Sequence, residues 1–282
     1  MQELLLRGLK KFRILKKINF SFTKKINHHR FRIPIISGSG EQNIPVHEQW
    51  MDSVLQKLLA LKRGAFIDVG VNVGQTLLKI KSIDPDIEYY GFEPNPTCVF
   101  YVNRLIEANK IENVYIFPVA IAEKAGITEL NFYFDSDTDA AASMIKDFRP
   151  VSGIRKSVFI PCLSINDVKS FIWDSSVSII KVDVEGAELD VLKGLSSFLE
   201  TLRPFVLMEI LPVYEAENKF RLDRQLEIER ILLKNNYKII RIKKNNDRFF
   251  SLEMIDAIGI HSNQDWCDYI FCPGETHLQL IS

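Results

Sequence analysis

The sequence lacks any run of about 18 uninterrupted apolar residues, the length at which a helix can cross a bilayer. Its 13 glycines and 11 prolines follow no period, which excludes a collagen-like or low-complexity chain. Four cysteines are too few and too scattered for a disulfide scaffold, so we expect a reducing compartment and a cytoplasmic location. The remaining composition, 46% hydrophobic and 26% charged over 282 residues, suits one large α/β domain with an appendage or two small domains.

The chain also lacks a net charge, because 36 basic residues balance 36 acidic ones, but the two signs are unevenly distributed. Residues 1–40 contain ten lysines and arginines and one acid, whereas residues 41–282 contain 26 basic and 35 acidic residues. The basic arm predicts an anionic partner such as a membrane, a nucleic acid or a polyanionic substrate, or contact with the acidic body itself. The acidic body gives no support to nucleic acid as a substrate, so we expect no nucleic-acid partner.

The first twenty residues of this arm alternate apolar and basic positions at helical spacing. The apolar positions are Leu5, Leu9, Phe12, Leu15 and Ile18. Their spacing predicts a basic amphipathic helix, and two interpretations remain open: peripheral contact with the anionic inner face of a membrane, or docking on the neighbouring domain. We therefore divide the chain into a basic extension, residues 1–45, with a hinge at 37–40, and a main domain, residues 46–282.

From residue 64 onward, short apolar runs alternate with longer helical stretches. Strands of the main sheet are predicted at 65–70, 87–93, 114–117, 178–183, 205–209, 237–242 and 269–272, with helices at 75–83, 96–109, 187–195 and 222–235. A β-rich insertion is predicted over 128–163, with strands at 130–134 and 157–160 and with Ser143 and Met144 above the active site. This alternation predicts a mostly parallel α/β sheet covered on both faces, with a ligand at the carboxyl ends of its strands.

The strongest chemical signal is the loop from Asp68 to Gly74, which follows the first strand of this sheet. It reads D-V-G-V-N-V-G, and the acidic Glu93 ends the next strand. A dinucleotide site needs G-x-G-x-x-G for its pyrophosphate, and that pattern is missing here. A nucleoside without phosphates suits the loop better, because Glu93 can accept both ribose hydroxyls while Asp68 and Asn72 face the charged ends of an amino acid. S-adenosylmethionine has this shape.

A second signal is the pair of carboxylates Asp183 and Glu185 at the end of the 178–183 strand. Alternation along the strand directs both side chains the same way, and Gly186 allows a tight turn into the following helix. The two carboxylates can complement a cationic sulfonium, act as general base for a hydroxyl nucleophile, or hold a divalent cation together with Glu209. The alternative is a capped helix start with solvated acids.

At this point the motifs resemble, in order and spacing, those of the FkbM family of methyltransferases over residues 60–242. The matching segments are DVGVNVG, Gly91–Pro96, Pro118–Ala120, Ile180–Glu188, Val191–Gly194, Arg203–Pro204 and Met208–Glu209. The resemblance implies a class I, Rossmann-like fold with a seven-stranded sheet whose last strand is antiparallel. It also implies S-adenosylmethionine as cofactor and methyl transfer to a hydroxyl of a sugar, glycan, glycolipid or natural product, as in polysaccharide biosynthesis.

The resemblance assigns roles to individual residues of this sequence. The methionine-side loop comprises Asp68, Gly70, Asn72 and Gly74; Glu93 with Pro94 takes the ribose; Ala120 lies near the adenine; and Asp183 and Glu185 lie by the methyl group. One departure is Val71, where alanine is commoner in the family. Two other functional hypotheses stay open: a nucleotide-dependent oxidoreductase on a Rossmann-like fold, and a non-catalytic membrane-tethered binding protein.

Overall fold

The computed structural model describes residues 8–9, 14–146, 148–172 and 176–281. Most of the amphipathic helix predicted over residues 1–20 therefore lies outside the described residues. Within that segment, Leu15–Lys17 form a single 3-10 turn in which Leu15 is buried. In the described part of the chain, no helix is both long and apolar enough to cross a membrane.

The strands and helices alternate along the chain largely as the sequence predicts. The strands are β1 (Phe20–Ile26), β2 (His29–Ile35), β3 (Ala65–Val69), β4 (Tyr89–Phe92), β5 (Val114–Phe117), β6 (Ala120–Ile121), β7 (Gly126–Phe132), β8 (Lys156–Leu163), β9 (Val177–Val182), β10 (Phe205–Glu209), β11 (Tyr237–Asn245), β12 (Arg248–Ile255) and β13 (Asp268–Pro273). The α-helices are α1 (Gln49–Leu61), α2 (Gln75–Ile83), α3 (Pro96–Asn109), α4 (Ile165–Val168), α5 (Glu188–Gly194), α6 (Ser196–Thr201), α7 (Lys219–Lys234) and α8 (His277–Ile281).

The described residues place eight strands in the main sheet, in the order β12-β11-β13-β10-β9-β3-β4-β5. Strands β5, β4, β3, β9 and β10 are parallel neighbours, and β13 runs antiparallel between β10 and β11. The predicted Rossmann-like α/β fold with an antiparallel last strand is confirmed. The chain order reverses between β3 and β9, and this reversal opens a crevice at the carboxyl ends of the strands.

The predicted count of seven strands was wrong by one, because β12 extends the sheet beyond β11. A two-residue turn joins the two strands, and both of its residues, Asn246 and Asp247, have positive φ, at 49° and 62°. That conformation matches the twist of a tight hairpin and is one that asparagine and aspartate tolerate. The sequence-based strand ended at residue 242, before the charged residues of this hairpin.

Two layers of helices cover the sheet because the central strands are apolar on both faces. Phe66 and Ile179 pack against α1, α2 and α3, whereas Ile67 and Ile180 pack against α5, α6 and α7. Successive side chains of a strand point to opposite faces, so each central strand contributes to both layers. The charged residues on the central strands, Asp68, Lys181 and Glu209, lie near the carboxyl ends, where the helices leave the crevice open.

The N-terminal hairpin β1–β2 was not predicted from the sequence. Phe31, Ile33 and Ile35 are buried in the same core as α1 to α3, and the side chain of Asn109 on α3 bonds both backbone groups of Arg32. The predicted hinge at 37–40 is instead a packed turn, because Gly40, at φ 92°, leaves no room for a Cβ beside the Tyr101 hydroxyl. The division of the chain at residue 45 stays a prediction.

The β-rich insertion predicted over 128–163 is present as strands β7 and β8, to which the short β6 adds a parallel partner. Between them, the described residues of the loop 133–155 fold back over the crevice. Ser143 pairs with Asn131 through its backbone, and its hydroxyl donates a hydrogen bond to the backbone oxygen of Glu185 at 2.6 Å. The insertion is thereby fastened to the loop that follows β9.

Candidate active site

A cavity lies at the carboxyl ends of β3, β4, β9 and β10, where the order of the strands reverses. The predicted cofactor residues that line it are Gly70, Asn72, Glu93, Pro94, Ala120 and Asp183. Glu185 and Glu209 line it as well. Most of the residues singled out in the sequence therefore converge on one space, although they come from five separate segments of the chain.

The loop after β3 is shaped by glycine and by positive φ angles. Gly70 has φ 93°, and a Cβ at this position would collide with the backbone oxygen of Asp183. Asn72 adopts φ 48°, a conformation that asparagine accepts more readily than most residues. The loop can therefore lie flat against the end of β9 and present bare backbone to the cavity.

Glu93 is held rigidly at the end of β4. Its carboxylate accepts hydrogen bonds from the backbone N–H of Asn72 at 2.7 Å and from that of Asn95 at 2.8 Å. Burial raises the pKa of Glu93 to about 7, although these two donors lower it. Each carboxylate oxygen has a further lone pair, so Glu93 can accept two hydroxyl groups from the cavity in addition.

Asp68 and Gly74, also predicted to contact the cofactor, are not among the lining residues. Asp68 is completely buried behind the loop, where it accepts a hydrogen bond from the Tyr89 hydroxyl and its other oxygen lies 3.5 Å from Lys181 Nζ. Burial raises the pKa of Asp68. Gly74 immediately precedes α2 and packs against Leu105 of α3. Both residues support the loop from behind, so their predicted contact with the cofactor stays a prediction.

Asp183 and Glu185 have different surroundings, although the sequence treated them alike. Asp183 lies 3.2 Å from Lys181 Nζ, which donates a hydrogen bond to it. Glu185, at φ 51°, forms an ion pair of 2.5 Å with Arg149 of the insertion. Burial, followed by the charge of Asp183, raises the pKa of Glu185, whereas Arg149 lowers it. The Glu185 carboxylate is therefore held by Arg149 of the insertion, whereas Asp183 faces the cavity.

Glu209 stands beside Asp183 and has a strongly perturbed pKa. Burial raises it well above its usual range, and the negative charges of Asp183 and Asp268 raise it further. This crowding of negative charge favours the protonated form of Glu209, which can donate a hydrogen bond to Asp183. Of the three carboxylates that the sequence offered as cation ligands, Glu185 is already paired with Arg149. Within the described ranges, no group of three or more potential metal ligands is arranged to hold an ion.

Three residues at the site were missed in the sequence. Glu48, with φ 51° at the start of α1, lines the cavity and pairs with Lys79, but no strand-end pattern marks it. Arg149 comes from the irregular part of the insertion, which carries no periodic signal. Lys181 had a usable signal, because a charged residue inside a fully buried strand, two positions before Asp183, requires a specific partner.

Comparison with known proteins agrees with this geometry. Residues 68–239, more than half of the chain, match the family model for the methyltransferase FkbM domain. Among curated proteins, Methyltransferase 1 of Beauveria bassiana (strain ARSEF 2860) is 24% identical over 142 residues, covering 46% of this chain and 57% of that protein. Methyltransferase sdnD of Sordaria araneosa is 24% identical over 153 residues, covering 45% and 59% respectively. The match thus spans less than two thirds of either relative.

Solved structures show weaker global similarity. An FkbM methyltransferase from Methylobacillus flagellatus KT aligns with a TM-score of 0.45 at 16% identity, over 74% of this chain and 43% of that one. Fibrillarin from Aeropyrum pernix aligns with a TM-score of 0.44 at 14% identity, over 89% and 81%. The family assignment accordingly rests on the sequence match, which includes the loop after β3, Glu93, and both Asp183 and Glu185. The chain belongs to the FkbM methyltransferase family.

Proposed function

We propose that this protein transfers the methyl group of S-adenosylmethionine to a hydroxyl oxygen of a sugar, glycan, glycolipid or natural-product acceptor. The observation that carries the proposal is the pair Glu93 and Asp183, on opposite sides of one glycine-bearing loop at the point where the strand order reverses. Glu93 suits the ribose, and Asp183 suits the reacting end.

The fit to this cofactor also follows from the charges around the cavity. Among the described residues that line it, the acids are Glu48, Glu93, Asp139, Asp183, Glu185 and Glu209, and the single cation is Lys181. Although Glu48, Asp183 and Glu185 each pair with a cation, an acid-rich lining disfavours a phosphorylated ligand, because like charges repel strongly where water is limited. The absence of a pyrophosphate-binding G-x-G-x-x-G motif points the same way.

The bound cofactor supplies an electrophilic methyl group and a neutral thioether as leaving group. The protein would hold the acceptor hydroxyl next to that methyl, and such positioning alone can contribute about 7–11 kcal/mol to lowering the barrier. Asp183 would accept the hydroxyl proton of the acceptor. The N–H of Lys181 and the acid proton of Glu209 hold the Asp183 carboxylate in place, whereas Glu185 is occupied by Arg149.

A thermal-shift experiment tests the cofactor assignment. S-adenosylhomocysteine at about 100 times its dissociation constant is expected to stabilise the protein by about 2.7 kcal/mol, which raises Tm by several degrees. NAD at the same concentration is expected to leave Tm unchanged. A shift with NAD alone would instead support the nucleotide-dependent oxidoreductase. Transfer of labelled methyl groups into separated polysaccharide, lipid and small-molecule fractions then identifies the acceptor class.

We also propose that the basic N-terminal residues contact an anionic membrane surface. In support, Ile14 and Ile18 are about 40% exposed on either side of the exposed Lys16 and Lys17, which suits insertion of apolar side chains between anionic headgroups. Deleting residues 1–19, which spares the buried strands of the hairpin, is expected to reduce sedimentation with phosphatidylserine vesicles. Binding of S-adenosylhomocysteine should persist. Equal sedimentation of the full chain with anionic and neutral vesicles would contradict the proposal.

A further inference from the structure

Lys181 is the one cation among the described residues that line the cavity. It lies on the fully buried strand β9, and its side chain is 6% exposed. Burial of a lysine ammonium is costly unless the charge is compensated. The position therefore requires an explanation in terms of the groups that surround the ammonium.

Two carboxylates flank the ammonium of Lys181. Its Nζ lies 3.2 Å from Asp183 Oδ2 and 3.5 Å from Asp68 Oδ1, and the latter distance is long for a hydrogen bond. These two negative charges outweigh the effect of burial and raise the pKa of Lys181, which keeps it protonated. An ammonium has three donors. Asp183 uses one, Asp68 faces a second, and a third remains for the cavity.

The position of Lys181 in the sheet places it at the far end of the cavity from the ribose site. Glu93 follows β4, whereas Lys181 lies on β9, and β3 runs between the two strands. Two strand spacings amount to about 10 Å, comparable to the separation of the ribose from the amino-acid end of an extended adenosyl amino acid. Glu48 lies near the same end and offers a carboxylate.

We infer that Lys181 binds the α-carboxylate of the amino-acid part of the cofactor, with Glu48 available for its ammonium. This inference rests on the proposed function, and it assigns the amino-acid end to β9 in place of Asp68. Lys181 thereby has two roles. It orients Asp183 toward the acceptor, and it selects ligands that carry a carboxylate at the amino-acid end.

Two ligands that differ only at the amino-acid end separate binding by Lys181 from a purely structural role. S-adenosylhomocysteine carries the carboxylate and ammonium, whereas 5′-methylthioadenosine lacks both. Titration calorimetry on the full chain should show tighter binding of S-adenosylhomocysteine. In Lys181→Met, its affinity is expected to fall ~10- to 100-fold, the effect of losing a charge-assisted hydrogen bond, with methylthioadenosine nearly unaffected.

Lys244→Met provides the matched control. Lys244 is a lysine of similar burial on β11 that pairs with Asp268 and lies outside the cavity lining. Its loss should leave the ratio of the two affinities unchanged, whatever it does to Tm. In Lys181→Arg, which keeps the charge, much of the preference for S-adenosylhomocysteine should persist.

If Lys181→Met does not fold, the double variant Lys181→Met/Asp183→Asn removes both charges of the pair and avoids an unpaired buried carboxylate at residue 183. The same collapse of the affinity ratio is expected there. Parallel weakening of both ligands in a folded variant would overturn the inference and leave Lys181 a structural role. If neither ligand binds the unmodified protein, the proposed function itself is overturned, which is a separate result.

Discussion

Replacing Asp183 by asparagine is expected to lower kcat by about 10²- to 10⁴-fold, the usual contribution of a general base. Asparagine keeps the size of the side chain and can still accept the hydrogen bond from Lys181 Nζ, but its amide cannot take a proton from a hydroxyl. The dissociation constant for S-adenosylhomocysteine should change little. Labelled methyl transfer and calorimetry measure the two quantities separately.

Glu185→Gln is the matched control, because it removes the neighbouring carboxylate while keeping its shape. Glu185 forms an ion pair with Arg149, so loss of its charge should loosen the insertion, although the backbone hydrogen bond from Ser143 is retained. We expect a higher KM for the acceptor and a smaller decrease in kcat than in Asp183→Asn. If Glu185→Gln abolishes turnover while Asp183→Asn retains it, the base is Glu185 and our assignment is reversed.

The parts of the fold that were predictable from the sequence are those with a strong apolar signal. Strands β3, β9 and β10 are short apolar runs followed by polar residues, and their order implied a parallel sheet with a crevice at the carboxyl ends. The hairpin β1–β2 escaped prediction because its exposed side carries Lys25, Arg30 and Arg32, which resemble a solvated basic arm. Only contact with α3 shows that its other side is buried.

The site was predictable to the extent that its residues end strands or form glycine turns. Glu93 and Asp183 satisfy that rule, and both line the cavity. The rule failed for Asp68, which is fully buried against Tyr89 and Lys181 of the neighbouring strands and does not line the cavity. It also missed Glu48 and Arg149, whose proximity to the cavity depends on how α1 and the insertion fold over the sheet. Such contacts have no local sequence signal.

Replacing Glu93 by alanine is expected to weaken binding of S-adenosylhomocysteine by at least about 100-fold. The ribose loses two charge-assisted hydrogen bonds, each worth about 1.5–3 kcal/mol. The backbone N–H groups of Asn72 and Asn95 also lose their acceptor. Glu93→Gln separates these effects, because a glutamine carbonyl can still accept from one backbone donor while the negative charge is gone. Calorimetry should rank the affinities as unmodified protein, then Glu93→Gln, then Glu93→Ala.

The same carboxyl group predicts how binding depends on pH. In the free protein the pKa of Glu93 is about 7, raised by burial, so the group is largely protonated at pH 6. Ribose hydroxyls donate to the ionised form and hence favour it, which means that bound ligand lowers the pKa. Affinity should therefore rise as the pH increases through 7 and level off above it. Burial also raises the pKa of Glu188 to about 7, and this carboxyl is unchanged in Glu93→Gln, so it still titrates there. If the affinity of Glu93→Gln still rises through pH 7, the rise does not come from Glu93, and Glu93 loses its assigned role at the ribose.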